Sequence, residues 1–208
     1  MKDPHLLLIR FSALGDVAMT VPVIRCLYKT YPGLKITFVS RPYFSPLFQE
    51  FKNFKFYPTD FNGRHNGIKG LWTLFKELKT TAFSGVADLH CVLRTHPLYL
   101  FFLLYGYKVK SVHKGRLEKK ALTRPKNKKF QPLTPTIYRY ADVFRKLGFP
   151  LSFDQHDFPE KRDLPKSLLP LYRRSEKKWI GIAPYAAHAG KMYPLDLMQQ
   201  VINFLQKD

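Results

Sequence analysis

This 208-residue chain has few acidic residues, few cysteines and no long hydrophobic run. It has 15 Asp and Glu against 35 Lys and Arg, which gives a formal net charge of +20. Such an excess of cations indicates an anionic partner: a phosphorylated glycolipid, a membrane surface, a nucleotide or a nucleic acid. The two cysteines, Cys26 and Cys91, are too few for a disulfide framework and indicate reduced thiols in a cytoplasmic protein.

Neither a leader nor a membrane-spanning segment is predicted from these residues. Near the amino terminus one short apolar run is interrupted by Arg10, so no signal peptide is predicted. The longest apolar stretch, residues 97–107, is shorter than the ~20 residues that a membrane-spanning helix needs. It is predicted to be a helix that either packs in the core or lies with one face against lipid.

Common nucleotide-binding and metal-binding motifs are missing as well. In the first loop Gly15 stands alone, where a dinucleotide-binding fingerprint needs three glycines, and no phosphate-binding GK[ST] loop is present. The residues Asp88, His90, Cys91 and His96 match no standard zinc spacing. We therefore predict neither a metal site nor a cofactor.

The sequence does contain an alternation of strands and helices. Its opening stretch, HLLLIRFSALGDVAMTVP, has four apolar residues at positions 6–9, then a tight loop and a helix that begins near Asp16. An unbroken apolar run is typical of a strand buried on both faces of a parallel sheet. Further strands are predicted at residues 35–40, 55–57, 83–89 and 109–112. Helices are predicted at residues 44–50, 71–79 and 138–147.

This alternation predicts an α/β fold with a Rossmann-like, doubly wound parallel sheet. After an irregular stretch, a strand at residues 179–183 and a helix at residues 195–206 repeat the opening pattern. We expect an amino-terminal domain over residues 1–155 and a connection over residues 156–178. Residues 179–208 would then be the first strand, loop and helix of a second Rossmann-like domain, which would be truncated here.

Asp16 follows the first predicted strand, and ligands of such sheets bind at the carboxyl ends of the strands. A short acidic residue at the start of a helix has two ordinary roles. It can cap the free amide groups of the helix, or it can act as a general base for a nearby hydroxyl group.

Six stretches of the sequence, in the same order, resemble the ADP-heptose:lipopolysaccharide heptosyltransferases of glycosyltransferase family 9. They are RFSALGDVAMTVPVIRCL, FNGRHNGIKGLWTLFKELK, DLHCVLRTHPL, KGRLEKKALTR, IYRYADVFRKLGFP and IGIAPYAAHAGKMYPLDLMQQVI. The resemblance implies a GT-B arrangement, in which two Rossmann-like domains face each other across a cleft. It also implies an inverting transfer of heptose from ADP-heptose to the lipopolysaccharide inner core, without a metal ion, and the D-x-D metal motif is absent here.

The resemblance makes Asp16 the catalytic base and implies that Ser12 and Gly15 lie near the donor. It associates Lys191, with His188 beside it, with the donor diphosphate, although a lysine in such a loop can also be merely solvated. The later donor-binding motifs of the family are absent from these 208 residues. The chain by itself is therefore expected to be inactive.

Two basic clusters are candidates for binding the acceptor. Arg64, His65 and Lys69 lie on a glycine-containing loop, and guanidinium groups pair well with phosphate and carboxylate. The resemblance implies that this loop faces the anionic inner core. The second cluster includes Arg116 and Lys120, and it can equally be a membrane-facing patch or a disordered loop. The expected location is cytoplasmic, with a peripheral position at the inner membrane as an option.

A noncatalytic basic α/β module that binds nucleic acid would explain the net charge as well. The sequence contains no recognised nucleic-acid motif, however, and that function leaves Asp16 without a role. Nucleic acid is therefore not expected as the partner.

Overall fold

The computed structural model describes residues 3–154, 158, 165–166, 180–186 and 188–206. The chain divides into two units, Met1–Pro159 and Glu160–Asp208.

The first unit is built on a five-stranded sheet in which every strand pairing is parallel. Its strand order is β3-β2-β1-β4-β5. The strands are β1 (His5–Ile9), β2 (Lys35–Ser40), β3 (Phe54–Pro58), β4 (Gly85–Asp88) and β5 (Val109–Ser111). At the carboxyl end of β1, Ile9 is in register with Val39 on one side and Asp88 on the other. The predicted Rossmann-like parallel sheet is confirmed.

Helices cover both faces of this sheet. They are α1 (Leu14–Ala18), α2 (Thr20–Thr30), α3 (Gly67–Leu78), α4 (Thr95–Leu104), α5 (Arg116–Thr123) and α6 (Thr136–Leu147), with a 3-10 helix at Pro42–Phe48. One core contains α2, the 3-10 helix and α6, and the other contains α3 and α4. The sheet is therefore covered on both faces, as the doubly wound prediction requires.

The alternation of side chains along β1 supplies both cores. Leu6 and Leu8 point into the first core, whereas Leu7 and Ile9 point into the second. All four are fully buried, and each such burial contributes roughly 1.5–3 kcal/mol. This is the physical reason why the strand is apolar without interruption.

Two helical predictions need correction, and proline explains both. The first helix is not continuous but breaks at Met19 into α1 and α2. Pro22 lacks the N–H group that would bond to the carbonyl oxygen of Ala18, so one continuous helix would lose that bond. The helix expected at residues 44–50 is a 3-10 helix at Pro42–Phe48, with Pro46 inside it.

Residues 97–104 of the apolar stretch lie in α4, which packs one face in the core and exposes the other to solvent. Leu98 and Phe102 are fully buried, whereas Leu104 is 72% exposed. Within the described ranges, no helix combines the length and apolar character needed to cross a bilayer. The basic stretch after β5 is partly helical, because α5 forms where the sequence prediction allowed a disordered loop.

In the second unit, the described residues contain a 3-10 turn at Ala189–Lys191 and helix α7 at Leu195–Leu205. The predicted helix at residues 195–206 is confirmed. The strand expected at residues 179–183 is absent from its described part, residues 180–183, and residue 179 lies outside the described residues. A strand needs a neighbouring strand for its hydrogen bonds, and the described part of this unit offers none.

Candidate functional site

The candidate site lies at the carboxyl edge of the sheet, around the ends of β1 and β4. The chain leaves β1 for the face that carries α2 and leaves β4 for the face that carries α4. Because β1 and β4 are neighbours in the sheet, their loops diverge and open a crevice between them. Ligands of open α/β sheets bind at such a switch point.

The carboxylate of Asp16 projects from α1 at this edge and pairs with Arg10, which follows β1 directly. The side chain of Arg10 is only 8% exposed, whereas that of Asp16 is 47% exposed. Arg10 Nη1 also donates a hydrogen bond of 2.6 Å to the carbonyl oxygen of Leu89, after β4. One buried guanidinium group therefore ties the β4 loop to Asp16 and fixes the orientation of the carboxylate.

The structure argues against one of the two roles considered for Asp16, that of a helix cap. The N-cap residue of α1 is Ala13, and no side chain makes a capping hydrogen bond there. The Asp16 carboxylate instead points to Arg10 and lines a cavity. Its backbone is held as well, because the Tyr140 hydroxyl donates a hydrogen bond of 3.2 Å to the Asp16 carbonyl oxygen. Burial raises the pKa of Tyr140 to about 12, so this hydroxyl stays protonated.

Asp16 opens into a cavity of about 430 Å³, called here the Asp16 cavity. Its lining residues are Arg10, Asp16, Val112, His113, Lys114, Lys119, Leu133, Thr134, Pro135, Thr136, Arg139 and Tyr140. Among these, Asp16 is the one carboxylate, and it faces two arginines and two lysines. The cationic side chains can therefore bind an anionic molecule, and the Asp16 carboxylate lies beside it.

Arg139 is fixed at the wall of the Asp16 cavity by two backbone contacts. Its Nε donates to the carbonyl oxygen of Thr134 at 2.9 Å, and its Nη1 donates to that of His113 at 3.1 Å. Gly115 makes this approach possible, since a Cβ atom there would collide with the guanidinium group. Gly115 also has a φ of 58°, a left-handed conformation that favours glycine.

Lys114, beside Gly115, is half-buried in the same wall. Burial lowers its pKa, and the nearby cations Arg10 and Arg116 add to this effect, while Cys91 and Asp88 oppose it. A cation held among other cations gains from the arrival of an anion, since the anion relieves their mutual repulsion.

The loop after β4 is held by the buried carboxylate of Asp88. It accepts hydrogen bonds from the N–H groups of His90 at 2.9 Å and Cys91 at 2.8 Å, and from the Thr95 hydroxyl at 2.9 Å. Cys91 has a φ of 48°, in the left-handed region. Among the described residues, no three His, Cys, Asp or Glu side chains meet as a metal site requires.

His90 lies beside the segment that joins β1 to α1. Its Nε2 is 3.5 Å from the Ser12 hydroxyl oxygen, and its ring packs edge-on against Phe11. Burial lowers the pKa of His90 to about 4, and the positive charges of Arg10 and Lys114 add to this effect. His90 is therefore a neutral ring near neutral pH.

Two of the predicted donor contacts lie close to Asp16 in the sequence. Ser12, before α1, is half-buried, whereas Gly15, in α1, faces open space.

The predicted acceptor loop is organised around Glu77 of α3. His65 is buried, its Nδ1 accepts from the N–H of Asp60 at 3.0 Å, and its Nε2 lies 3.2 Å from the Glu77 carboxylate. Arg64 pairs with the other oxygen of Glu77, and Tyr57 donates a hydroxyl hydrogen bond to the carboxylate. Both ring nitrogens of His65 are thus engaged, and the ring has no atom left for an acceptor.

The remaining predicted acceptor residues have exposed side chains. Lys69 lies on α3, and Arg116 and Lys120 lie on α5. None of the three lines the Asp16 cavity, whereas Lys119 does. The helical turn of α5 therefore places Lys119, and not Lys120, at the wall of the Asp16 cavity, and a contact of Lys120 with the acceptor stays a prediction.

In the second unit, Lys191 ends the 3-10 turn that precedes α7, and its N–H donates to the carbonyl oxygen of His188 at 2.9 Å. Both side chains are exposed. The two predicted donor residues are thus adjacent in one turn, ahead of a helix amino terminus, where amide groups favour anions.

Sequence reasoning missed Arg10, Lys114 and Arg139 as site residues. For Arg10 a signal existed, since the first residue after a buried strand lies at the ligand-binding edge. For Lys114 and Arg139 the sequence contains no local signal, because they come together only through the packing of α6 beside the segment after β5.

No family model matches this chain, and no curated protein is detectably similar to it in sequence. Solved structures do match its fold. The glycosyltransferase family 9 protein from Veillonella parvula matches 100% of this chain and 61% of its own, with a TM-score of 0.70 and 18% identity.

The E. coli heptosyltransferase WaaC matches as well. Its structure with ADP covers 97% of this chain and 64% of its own, with a TM-score of 0.59 and 12% identity. Its structure with ADP-2-deoxy-2-fluoro heptose covers 74% of this chain and 51% of its own, with a TM-score of 0.53 and 14% identity. This chain thus spans between half and two thirds of these proteins and shares their fold.

Proposed function

We propose that this protein is an inverting glycosyltransferase that transfers heptose from ADP-heptose to a hydroxyl group on the anionic inner core of lipopolysaccharide. The observation that carries the proposal is the half-exposed carboxylate of Asp16, fixed by Arg10 in a cavity with otherwise cationic charge. The donor class is supported by the fold shared with WaaC, whose structures contain ADP and an ADP-heptose analogue.

In the proposed reaction, Asp16 accepts the proton of the acceptor hydroxyl as a general base. The hydroxyl oxygen forms a bond to the anomeric carbon of the heptose. The bond between that carbon and the β-phosphate oxygen breaks, and ADP leaves with the electron pair. Because attack and departure occur on opposite faces, the anomeric configuration is inverted.

The acceptor is proposed to lie in the Asp16 cavity, with its phosphate or carboxylate groups against Lys114, Lys119 and Arg139. Hydrogen bonds from charged donors are about twice as strong as neutral ones, so these side chains suit an acidic sugar. The exposed residues of the two predicted basic clusters would add longer-range attraction for the anionic acceptor. They are Arg64, Lys69, Arg116 and Lys120. Such attraction is screened over ~8 Å at physiological ionic strength.

The donor diphosphate is proposed to contact Lys191 and His188, with amide groups ahead of α7 as further donors. In the first unit, Ser12 after β1 and Gly15 of α1 are proposed as further donor contacts, and the open space beside Gly15 leaves room for a ligand there. The protein's cations, rather than a metal ion, would stabilise the leaving ADP. Because the proposed acceptor is attached to lipid, we place the reaction at the inner face of the cytoplasmic membrane.

The test combines a transfer assay with one double variant. Because these 208 residues are expected to be inactive by themselves, each transfer rate here and below is measured on a protein in which they are joined to a complete donor-binding domain, whereas acceptor binding is measured on the chain itself. Heptose transfer from labelled ADP-heptose to heptose-free core lipopolysaccharide is measured, and the configuration of the product is determined by NMR. In Lys114→Gln with Arg139→Gln, two charged hydrogen bonds are lost, so KM for the acceptor should rise about 100-fold with little change in kcat. The matched control is Lys126→Gln with Lys128→Gln, two exposed lysines outside the cavity.

Three outcomes would contradict the proposal. They are a product with retained configuration, equal effects of the two double variants, and failure of the unaltered protein both to transfer heptose and to bind the acceptor.

A further inference from the structure

Helix α4 presents an apolar face to solvent that neither the sheet nor the site uses. Its outward row consists of Leu100, Leu103 and Leu104, which are 48%, 48% and 72% exposed. Leu93 extends this face before the helix and Tyr105 after it, and both are exposed. The helix itself contains no Asp, Glu, Lys or Arg. A continuous apolar face on a surface helix is a mark of an interaction site.

Basic residues of α3 border this face. Residues at spacings of three and four lie along one side of a helix. One such row contains three lysines and one tryptophan: Lys69, Trp72, Lys76 and, directly after the helix, Lys79. The Trp72 ring lies 4.9 Å from that of Phe101 on α4, and Lys79 Nζ lies 4.6 Å from the centre of the Tyr105 ring. The row of lysines and the row of leucines are therefore parts of one surface.

The charge of this surface has one sign. The acidic residue of α3, Glu77, is mostly buried and faces Tyr57, Arg64 and His65 instead of the lysine row. Leucines flanked by exposed lysines complement an anionic lipid layer, since the leucines can enter the acyl region while the long lysine side chains keep their charges at the headgroups. A protein partner would need acidic groups around an apolar groove, whereas this face is convex, being the outside of a single helix.

We infer that the outward face of α4, with the lysine row of α3, is a surface by which the protein docks on a membrane that contains anionic lipid. A 10-residue helix is roughly 15 Å long, so α4 lies in the plane of the membrane surface and does not cross the bilayer. The inference goes beyond glycosyl transfer and does not depend on it. Its test needs no sugar substrate, so failure of one proposal leaves the other standing.

The first experiment measures cosedimentation of the protein with phosphatidylcholine vesicles, with and without phosphatidylglycerol. The variant is Leu103→Glu with Leu104→Glu, which places two anions in the apolar row. Its partitioning onto the anionic vesicles should fall at least about tenfold, because anions replace two leucine side chains that would enter the apolar layer of the membrane. The control is Leu117→Glu, a leucine on α5 that is 81% exposed. Circular dichroism verifies that each variant is folded.

The second variant, Lys76→Gln with Lys79→Gln, separates charge from apolar contact. It should weaken binding to the anionic vesicles and flatten its salt dependence, while leaving the weak binding to pure phosphatidylcholine unchanged. Lys126→Gln with Lys128→Gln removes the same number of charges from a different loop and should have a clearly smaller effect.

A third measurement reports directly how deeply this surface enters the membrane. In a Trp179→Phe background, Trp72 is the remaining tryptophan, and lipids brominated in the acyl chain should quench its fluorescence. Absence of quenching would overturn the inference, as would an equal or larger effect of Leu117→Glu. The inference would also fail if Leu103→Glu with Leu104→Glu abolished self-association of the protein without changing vesicle binding, because the face would then join two copies.

Discussion

Two arginine–carboxylate pairs differ in which partner is buried. One joins Arg10 after β1 to Asp16 of α1, and the other joins Arg64 in the loop after β3 to Glu77 in the last turn of α3. In the first pair Arg10 is 8% exposed and Asp16 is 47% exposed. In the second pair Arg64 is 66% exposed and Glu77 is 17% exposed. The arginine is the fixed partner in one pair, and the carboxylate is the fixed partner in the other.

The partners of each carboxylate explain what this difference means. Burial alone would raise the pKa of Glu77, but hydrogen bonds from Tyr57 and His65 and the nearby charges of His65 and Arg64 lower it below its usual value. Glu77 is thus held as an anion whose oxygens are all engaged. Asp16 has Arg10 on one side and the cavity on the other, so one side of its carboxylate can meet a substrate.

The largest difference between the pairs is expected when each arginine is removed in turn. Arg10→Met leaves the Asp16 carboxylate without its anchor, and misplacing a catalytic group by about 1 Å can cost on the order of 100-fold in rate. We expect kcat/KM for transfer to fall by about that factor. Arg10→Lys, which keeps the charge but cannot hold both partners equally well, should fall in between.

The counterpart, Arg64→Met, is expected to change kcat/KM less than threefold, because Arg64 is exposed and is proposed to add only screened, longer-range attraction to the acceptor. Steady-state kinetics of the three variants tests this contrast. Equal losses in Arg10→Met and Arg64→Met would show that the two pairs do not differ in function.

A smaller effect is expected of pH on the stability of the protein. It arises at His90, which lies near enough to Asp16 to feel its charge. The folded protein holds the pKa of His90 at about 4, below the ordinary value of 6.5. Between these values the unfolded chain binds a proton that the folded chain does not. The stability contributed by the neutral ring is therefore complete above pH 6.5 and is lost as the pH falls from 6.5 toward 4.

Urea unfolding at a series of pH values measures this contribution. In His90→Gln the loss of stability across that window should be shallower than in the unaltered protein. Identical slopes in the unaltered protein and in His90→Gln would contradict the buried, neutral ring.

The parts of this fold that sequence reasoning could predict are those with local causes. The apolar run at residues 6–9 and the turn before Asp16 report directly on a buried strand and a loop at the ligand edge. The break at Met19 was missed because the helical spacing continues through it, although Pro22 carried the signal. Helix α5 was missed because its charged sequence has no buried residue to mark a face.

The site was less predictable, because its charges are sorted by tertiary packing. The sequence placed Asp16 at the ligand edge and allowed both a cap and a base. The contact with Arg10 argues against the cap, and the role as a base stays a prediction. Arg64 and His65 were read as free cations because Glu77, their partner, lies on the following helix. Lys114 and Arg139 are 25 positions apart, and only the fold brings them to one cavity.

The most direct test of this account compares Asp16→Asn with Glu77→Gln in two measurements, the rate of heptose transfer and the urea midpoint of unfolding at pH 7. Asn keeps an oxygen for Arg10 but cannot take up the proton, so Asp16→Asn should stay folded and lose about 1000-fold or more in rate. Glu77→Gln places an amide donor among donors, so it should keep its rate within threefold and lose about 1–3 kcal/mol of stability. A folded Asp16→Asn protein that retains its rate would contradict the account, as would a Glu77→Gln protein that is inactive but as stable as the unaltered one.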